Sequence, residues 1–161
     1  MISRDSMMQL LLRRPGTVRS PVARWTATIL ALIGAAMLIW SAWIHIYLWS
    51  DGYKDIRTIG PLFLAQGIAC ILLAIPLVIW RGLALQVVSA ATLIATAAGL
   101  LLSVNYGLFG LQESLKVPYT VLSLYVEFGG GTVLLAGAAI LALSSPAVEV
   151  QGNPSHAPTR T

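Results

Sequence analysis

The sequence predicts an all-helical, membrane-embedded four-helix bundle with both termini in the cytoplasm, and three observations carry that prediction. First, four apolar stretches are nearly free of charge: Trp25 to Trp49, Gly60 to Trp80, Leu83 to Val104 and Tyr119 to Leu143. A helix rises about 1.5 Å per residue through a hydrocarbon core of about 30 Å, so roughly 20 residues cross it, and each stretch is long enough. Second, 57% of the residues are hydrophobic and only 10% charged, which leaves a water-soluble chain of 161 residues too little polar surface to cover itself. Third, Arg4, Arg13, Arg14, Arg19 and Arg24 all precede the first stretch, opposed only by Asp5.

That arginine bias sets the orientation expected. Positive charge stays on the cytoplasmic side, so residues 1–24 form a basic cytoplasmic tail, and four spans return residues 144–161 to the same side as a flexible tail. Arg81, in the tight link between the second and third stretches, falls inside as well. The first outer loop balances Lys54 and Arg57 against Asp51 and Asp55, and the third connection sets Lys116 against Glu113. The localisation expected is the plasma membrane, multi-pass. A basic tail also suits nucleic acid, but five arginines without a recognition pattern are explained by topology and anionic lipid, so no nucleic-acid partner is expected. A cleaved signal peptide is not expected either, because the first apolar run is about 25 residues long and ends in bulky aromatics, against about 7 to 15 for a signal core.

Each span carries local marks. Trp25 and Trp80 suit the inner headgroup level, and Trp49, Tyr53, Tyr106, Phe109 and Tyr119 the outer one. In the first span Ala27, Ala31 and Ala35 form a small-residue stripe. In the second, Thr58 can cap the helix before Gly60-Pro61, and Pro76 deprives the Leu72 carbonyl of its partner and should bend the helix. In the third, Ala91, Ala95, Gly99 and Ser103 recur every four residues, which predicts a close helix contact. Pro118 opens the fourth, where Gly129-Gly130-Gly131 allow close approach; with no Lys-Ser or Lys-Thr following, this is not a phosphate loop.

Polar groups within the spans are where function could reside, since each is costly in hydrocarbon. Glu127 lies about nine residues past Pro118, roughly 13 Å in from the outer end of its span. His45, Gln66 and Asn105 fall in the same outer layer. Together they form the candidate polar site. One expectation is structural, with Glu127 kept neutral or paired with His45, hydrogen-bonded to Gln66 and a Tyr or Ser hydroxyl, and fixing helix rotation; the other is binding of a proton, a cation or a small polar ligand at the outer face. No metal or cofactor is expected, because His45, His156 and the lone Cys70 have no ligand spacing. Catalysis is not expected, because no nucleophile with a base and a third member is visible; Ser123, four residues before Glu127, is read as packing.

The outer loops Ser50 to Ile59 and Asn105 to Pro118 supply the expected recognition surface, with Trp49, Tyr53, Gly107, Gly110 and Glu113 as its candidate residues. The run HIYLWSDGYKDIRTIGPLF at His45 to Phe63, with GLFGLQES at Gly107 to Ser114 and the acid Glu127, resembles a family of small four-helix membrane proteins of high-GC Gram-positive bacteria. The matching positions include His45, Leu48, Trp49, Gly52, Tyr53, Thr58 to Phe63, Gly107, Gly110 and Glu113, and the likeness covers the membrane domain and neither tail. It implies the fold and an outer-face motif cluster, and carries no activity with it.

The reading that follows is a non-enzymatic integral membrane protein, an interaction or accessory subunit, partnered by lipid and by a membrane protein or further copies of itself. The alternative is a small homo-oligomeric transporter with Glu127 as its coupling carboxyl. Small multidrug transporters also have four spans and a membrane glutamate, but theirs is in the first helix, an arrangement this chain lacks.

Overall fold

The computed structural model describes residues 4–144. Residues 145–161, which include His156 and most of the tail expected to be flexible, lie outside the described residues. In chain order the helices are α1 (Arg4–Leu11), α2 (Pro21–Ser50), α3 (Ile59–Trp80), α4 (Leu83–Tyr106) and α5 (Thr120–Leu143), with single 3-10 turns at Pro15–Thr17 and Tyr53–Asp55. No strand forms among the described residues. Helices α2 to α5 are each long and apolar enough to cross a membrane. The most apolar of them, α3, is also the one least buried against protein, the inverse of what a core in water requires.

The helix ends follow local chemistry. Helix α2 begins at Pro21, four residues before the apolar run, because Ser20 accepts a bond from the Ala23 N–H (3.4 Å) and Pro21 occupies a first-turn position where its missing N–H costs nothing. Thr58 stands at the N-cap of α3 but its side chain makes no capping bond, contrary to expectation. Helix α3 runs unbroken past Pro76 and ends at Arg81, which adopts a left-handed conformation (φ 50°) and turns the chain directly into α4.

The described residues before α2 are tied to the rest of the bundle. Arg13 donates from Nη1 to the carbonyls of Leu141 (3.2 Å) and Ala142 (3.1 Å) in the last turn of α5, which have no partner within their own helix, and to that of Ser144 (3.0 Å), its C-cap. A cation there also meets the negative end of the α5 dipole. The Arg13 carbonyl in turn accepts the Leu83 N–H (2.8 Å) at the start of α4. Hydropathy gives no sign of this, since the signal is one guanidinium reaching the far end of the chain.

Packing runs in an arc: α3 against α2, α2 against α5, α5 against α4, while α3 and α4 meet far less than these pairs do. Small residues set the close contacts by letting helix backbones approach. Ala27, Ala31 and Ala35 are buried as the first-span stripe predicts. Gly130 and Gly131 are buried where a Cβ would meet Met37 and Leu93, or Ile94. The α4 stripe does something else. Ala91 and Ala95 are exposed, a Cβ at Gly99 would meet nothing within 4 Å, and the packed face of α4 is Ala90, Leu93 and Ala97. Because α3 and α4 are joined tightly at one end and otherwise meet little, Ala95, Gly99 and Ser103 of the stripe border a gap instead of a neighbour.

Candidate functional site

That gap is a cavity of about 500 Å³ between α3 and α4, in the half of the bundle away from the termini. Leu62, Phe63, Leu100, Leu108 and Leu111 give it apolar walls, and Ala95, Gly99 and Ser103 keep one wall shallow. His45 of α2 and Glu127 of α5 form its deep end.

Glu127 is fully buried. Its Oε1 accepts from Ser123 Oγ (2.9 Å) and from Ser41 Oγ (3.4 Å), and lies 3.8 Å from His45 Nε2. His45 Nδ1 is 2.9 Å from the Ser41 carbonyl. A carbonyl only accepts, so this contact assigns a proton to Nδ1 and leaves Nε2 facing the carboxyl. When His45 and Glu127 share a single further proton, the pair is uncharged overall wherever that proton resides. The second carboxyl oxygen, Oε2, has no hydrogen-bond partner. A buried acceptor without a partner is costly, and here it belongs to a side chain that lines a cavity.

The roof is a latch between two loops. Tyr53 Oη donates to Glu113 Oε2 (2.7 Å), and Glu113 Oε1 accepts the Ser114 N–H (3.2 Å). Partial burial, with the Glu113 carboxylate alongside, pushes the Tyr53 phenol above its ordinary range. A pKa raised on folding adds stability that is complete below the unfolded value of about 10 and is lost only as pH climbs through the higher folded value. The latch therefore persists from neutral into alkaline solution. The Tyr53 ring stacks on Phe63 (centroids 4.8 Å apart, 19° between planes), and Phe63 lies against the His45 ring (5.1 Å). One line of contacts thus runs from Glu113 through Tyr53, Phe63 and His45 to Glu127.

Of the four candidate polar residues, three reach this cavity. His45 and Glu127 meet; Gln66 lines the cavity but, contrary to expectation, makes no hydrogen bond to Glu127, donating to Cys70 Sγ on its own helix (3.4 Å) while Ser41 and Ser123 serve the carboxyl. Asn105 does not join them. It is exposed and donates to the Leu101 carbonyl of its own helix (2.7 Å), since depth alone does not say which way a helix turns a side chain. Among the loop candidates, Glu113 is buried under Tyr53 instead of standing on a recognition surface, because its carboxylate has found a donor in the neighbouring loop. Trp49 is half-buried and outside the cavity. Gly107 (φ 77°) and Gly110 (φ 85°) shape the turn that carries Leu108 and Leu111, with conformations that suit glycine.

Ser41 is a site residue that the sequence analysis does not name, and Phe63 enters there only as a position of the family resemblance. Ser41 carried a signal, standing four residues before His45 and hence on the same helical face. Ser123 proves to be a partner of Glu127 and not merely packing. Among the described residues no group of three or more His, Cys, Asp or Glu side chains is placed to hold a metal. Comparison of the chain with protein-family models, curated proteins and solved structures finds no match.

Proposed function

We propose that this chain is a multi-pass plasma-membrane protein, with both termini cytoplasmic, that works as a non-enzymatic accessory subunit. It holds a small amphipathic molecule between α3 and α4 and offers its outer loops to a membrane partner. One observation carries this reading: an apolar cavity whose deep end is a buried carboxyl oxygen with no partner. An occupant with an apolar body and a hydroxyl or amine at one end satisfies both the walls and Glu127, and the volume falls within the range of small-molecule sites, about 300 to 1,000 Å³.

The test uses dodecylamine, dodecanol and dodecane as probes of the purified protein in neutral-lipid nanodiscs, with binding counted by native mass spectrometry. The amine and the alcohol are expected to bind and the alkane to bind far less. Glu127→Gln, which presents an N–H₂ in place of one acceptor, is expected to weaken the amine about tenfold to a hundredfold, the worth of a hydrogen bond to a charged group. Gly99→Leu is expected to exclude all three probes by filling a space in which its Cβ meets nothing. Equal binding of alkane and amine, unchanged in both variants, refutes the site.

A second reading, a homo-oligomeric transporter coupled through Glu127, is favoured by the facing of His45 Nε2 and Glu127 Oε1. Proteoliposomes separate the two: uptake of dodecylamine driven by a pH gradient and abolished by Glu127→Gln supports transport, whereas binding without uptake supports the accessory role. Orientation is tested by reporter fusions. A fusion at Asp51 is expected outside and one after Ser144 inside, and any other pattern overturns the topology.

A further inference from the structure

A second recess, about 400 Å³ in volume, lies at the terminal end of the bundle and shares no residue with the α3/α4 cavity. It forms where the chain before α2 folds back. Arg14 and Thr17 come from the fold-back, Arg24 and Trp25 from the first turns of α2, and Trp80 and Arg81 from the end of α3. The fold-back is held firmly. Arg13 is fixed through its side chain to α5 and through its carbonyl to α4, Thr17 N bonds the Arg14 carbonyl (3.0 Å), and Pro15 and Val18 are buried. The arginines are therefore gathered by long-range ties and not by a mobile tail.

Among the described residues the one ion-pair contact is His45 with Glu127, so no carboxylate of these residues pairs with the guanidinium groups. Three like charges around one recess repel each other, and an anion with several oxygens relieves that repulsion while matching the planar donor fork of arginine. The flanking indoles indicate where that anion comes from. Trp25 and Trp80 are 64% and 54% exposed at the ends of apolar helices, the position in which an indole sits at headgroup level with its ring against acyl chain.

We infer that this recess binds the phosphate of an anionic phospholipid headgroup from the leaflet at the terminal end. Arg14, Arg24 and Arg81 hold the phosphate, and Trp25 and Trp80 flank the upper acyl chain. The inference stands independently of the α3/α4 cavity.

The experiment adds phosphatidylglycerol or phosphatidylcholine to the full-length protein in detergent and counts retained lipid by native mass spectrometry. Phosphatidylglycerol is expected to be retained in preference. The pair Arg14→Gln and Arg24→Gln is expected to lower that retention about 25-fold, about fivefold for each arginine. The pair Arg4→Gln and Arg19→Gln removes the same charge outside the recess and is expected to leave retention within about twofold. Circular dichroism checks that helix content is kept. If the glutamine pair misfolds, Arg14→Lys with Arg24→Lys, which keeps charge but loses the fork, is expected to show an intermediate loss, and unchanged retention then overturns the site. Equal loss in the two glutamine pairs, or equal retention of the two lipids, also overturns it. Displacement of the lipid by inorganic phosphate in the millimolar range assigns the recess to a free anion and overturns the lipid as its occupant.

Discussion

Replacing Gly60 by alanine is expected to cost about 1 to 3 kcal/mol and to break the latch over the cavity. A Cβ at this position would press on the carbonyls of Lys54 and Tyr53, which are backbone atoms with no rotamer to give. The Gly60 N–H is also bonded to the Ile56 carbonyl (2.8 Å), so the first turn of α3 and the short turn at Tyr53–Asp55 are locked face to face. The methyl group must push that turn away. Tyr53 then leaves both Glu113 and Phe63, and a buried carboxylate keeps only the Ser114 N–H of its two donors. Thermal unfolding in detergent measures the cost. Ultraviolet titration measures the latch, because a freed phenol returns toward its ordinary range. A Gly60→Ala protein with wild-type melting and an unchanged tyrosine titration would show that the two segments are not in contact.

The three consecutive glycines of α5 give the second test. Gly129→Ala is expected to be neutral, since its Cβ would meet nothing within 4 Å. Gly130→Ala is expected to lose about 1 to 3 kcal/mol, because its Cβ would crowd Met37 Cβ and Leu93 Cδ1, each 2.8 Å away. Met37 Cβ is fixed to the α2 backbone and cannot swing aside. Gly131→Ala is expected to cost about as much, against Ile94 Cγ1 at 2.6 Å. The damage reaches the site. Glu127 lies one turn before Gly130, so pushing α5 away from α2 draws the carboxyl from His45 and Ser41. Binding of dodecylamine is therefore expected to fall with Gly130→Ala and to survive Gly129→Ala. Equal melting temperatures for all three variants would refute the packing described for this helix.

The helices and the site differ in how far they could be read from the chain. Four apolar runs stand out because length and charge alone decide whether a segment suits a bilayer, and each helical boundary falls within a few residues of its run. The meeting of His45 with Glu127 was legible for a related reason, since both are placed by depth and both are costly to leave in hydrocarbon. Depth does not fix rotation. Asn105, at the end of α4, falls in the same half of the bundle as Glu127 yet is exposed, and the phase of α4, set by Ala90, Leu93 and Ala97 on its packed face, determines that. The stripe Ala91, Ala95, Gly99 and Ser103 was misleading because small side chains permit close approach without compelling it. A tight turn at Arg81-Gly82 holds one end of the α3/α4 pair, and the other end is free to part.

Arg13 also constrains the order of assembly. Its side chain is bonded to carbonyls 128 to 131 residues further along the chain, and its backbone to the start of α4. None of the side-chain bonds can exist until α5 has been synthesised and has packed against α2 and α4, although Arg13 itself is made among the first residues. During biogenesis the earlier helices must wait with this arginine unfastened from α5. Its capture by the emerging end of α5 is then a closing step that reports completion of the whole bundle, and a chain stalled before residue 141 would remain unclasped.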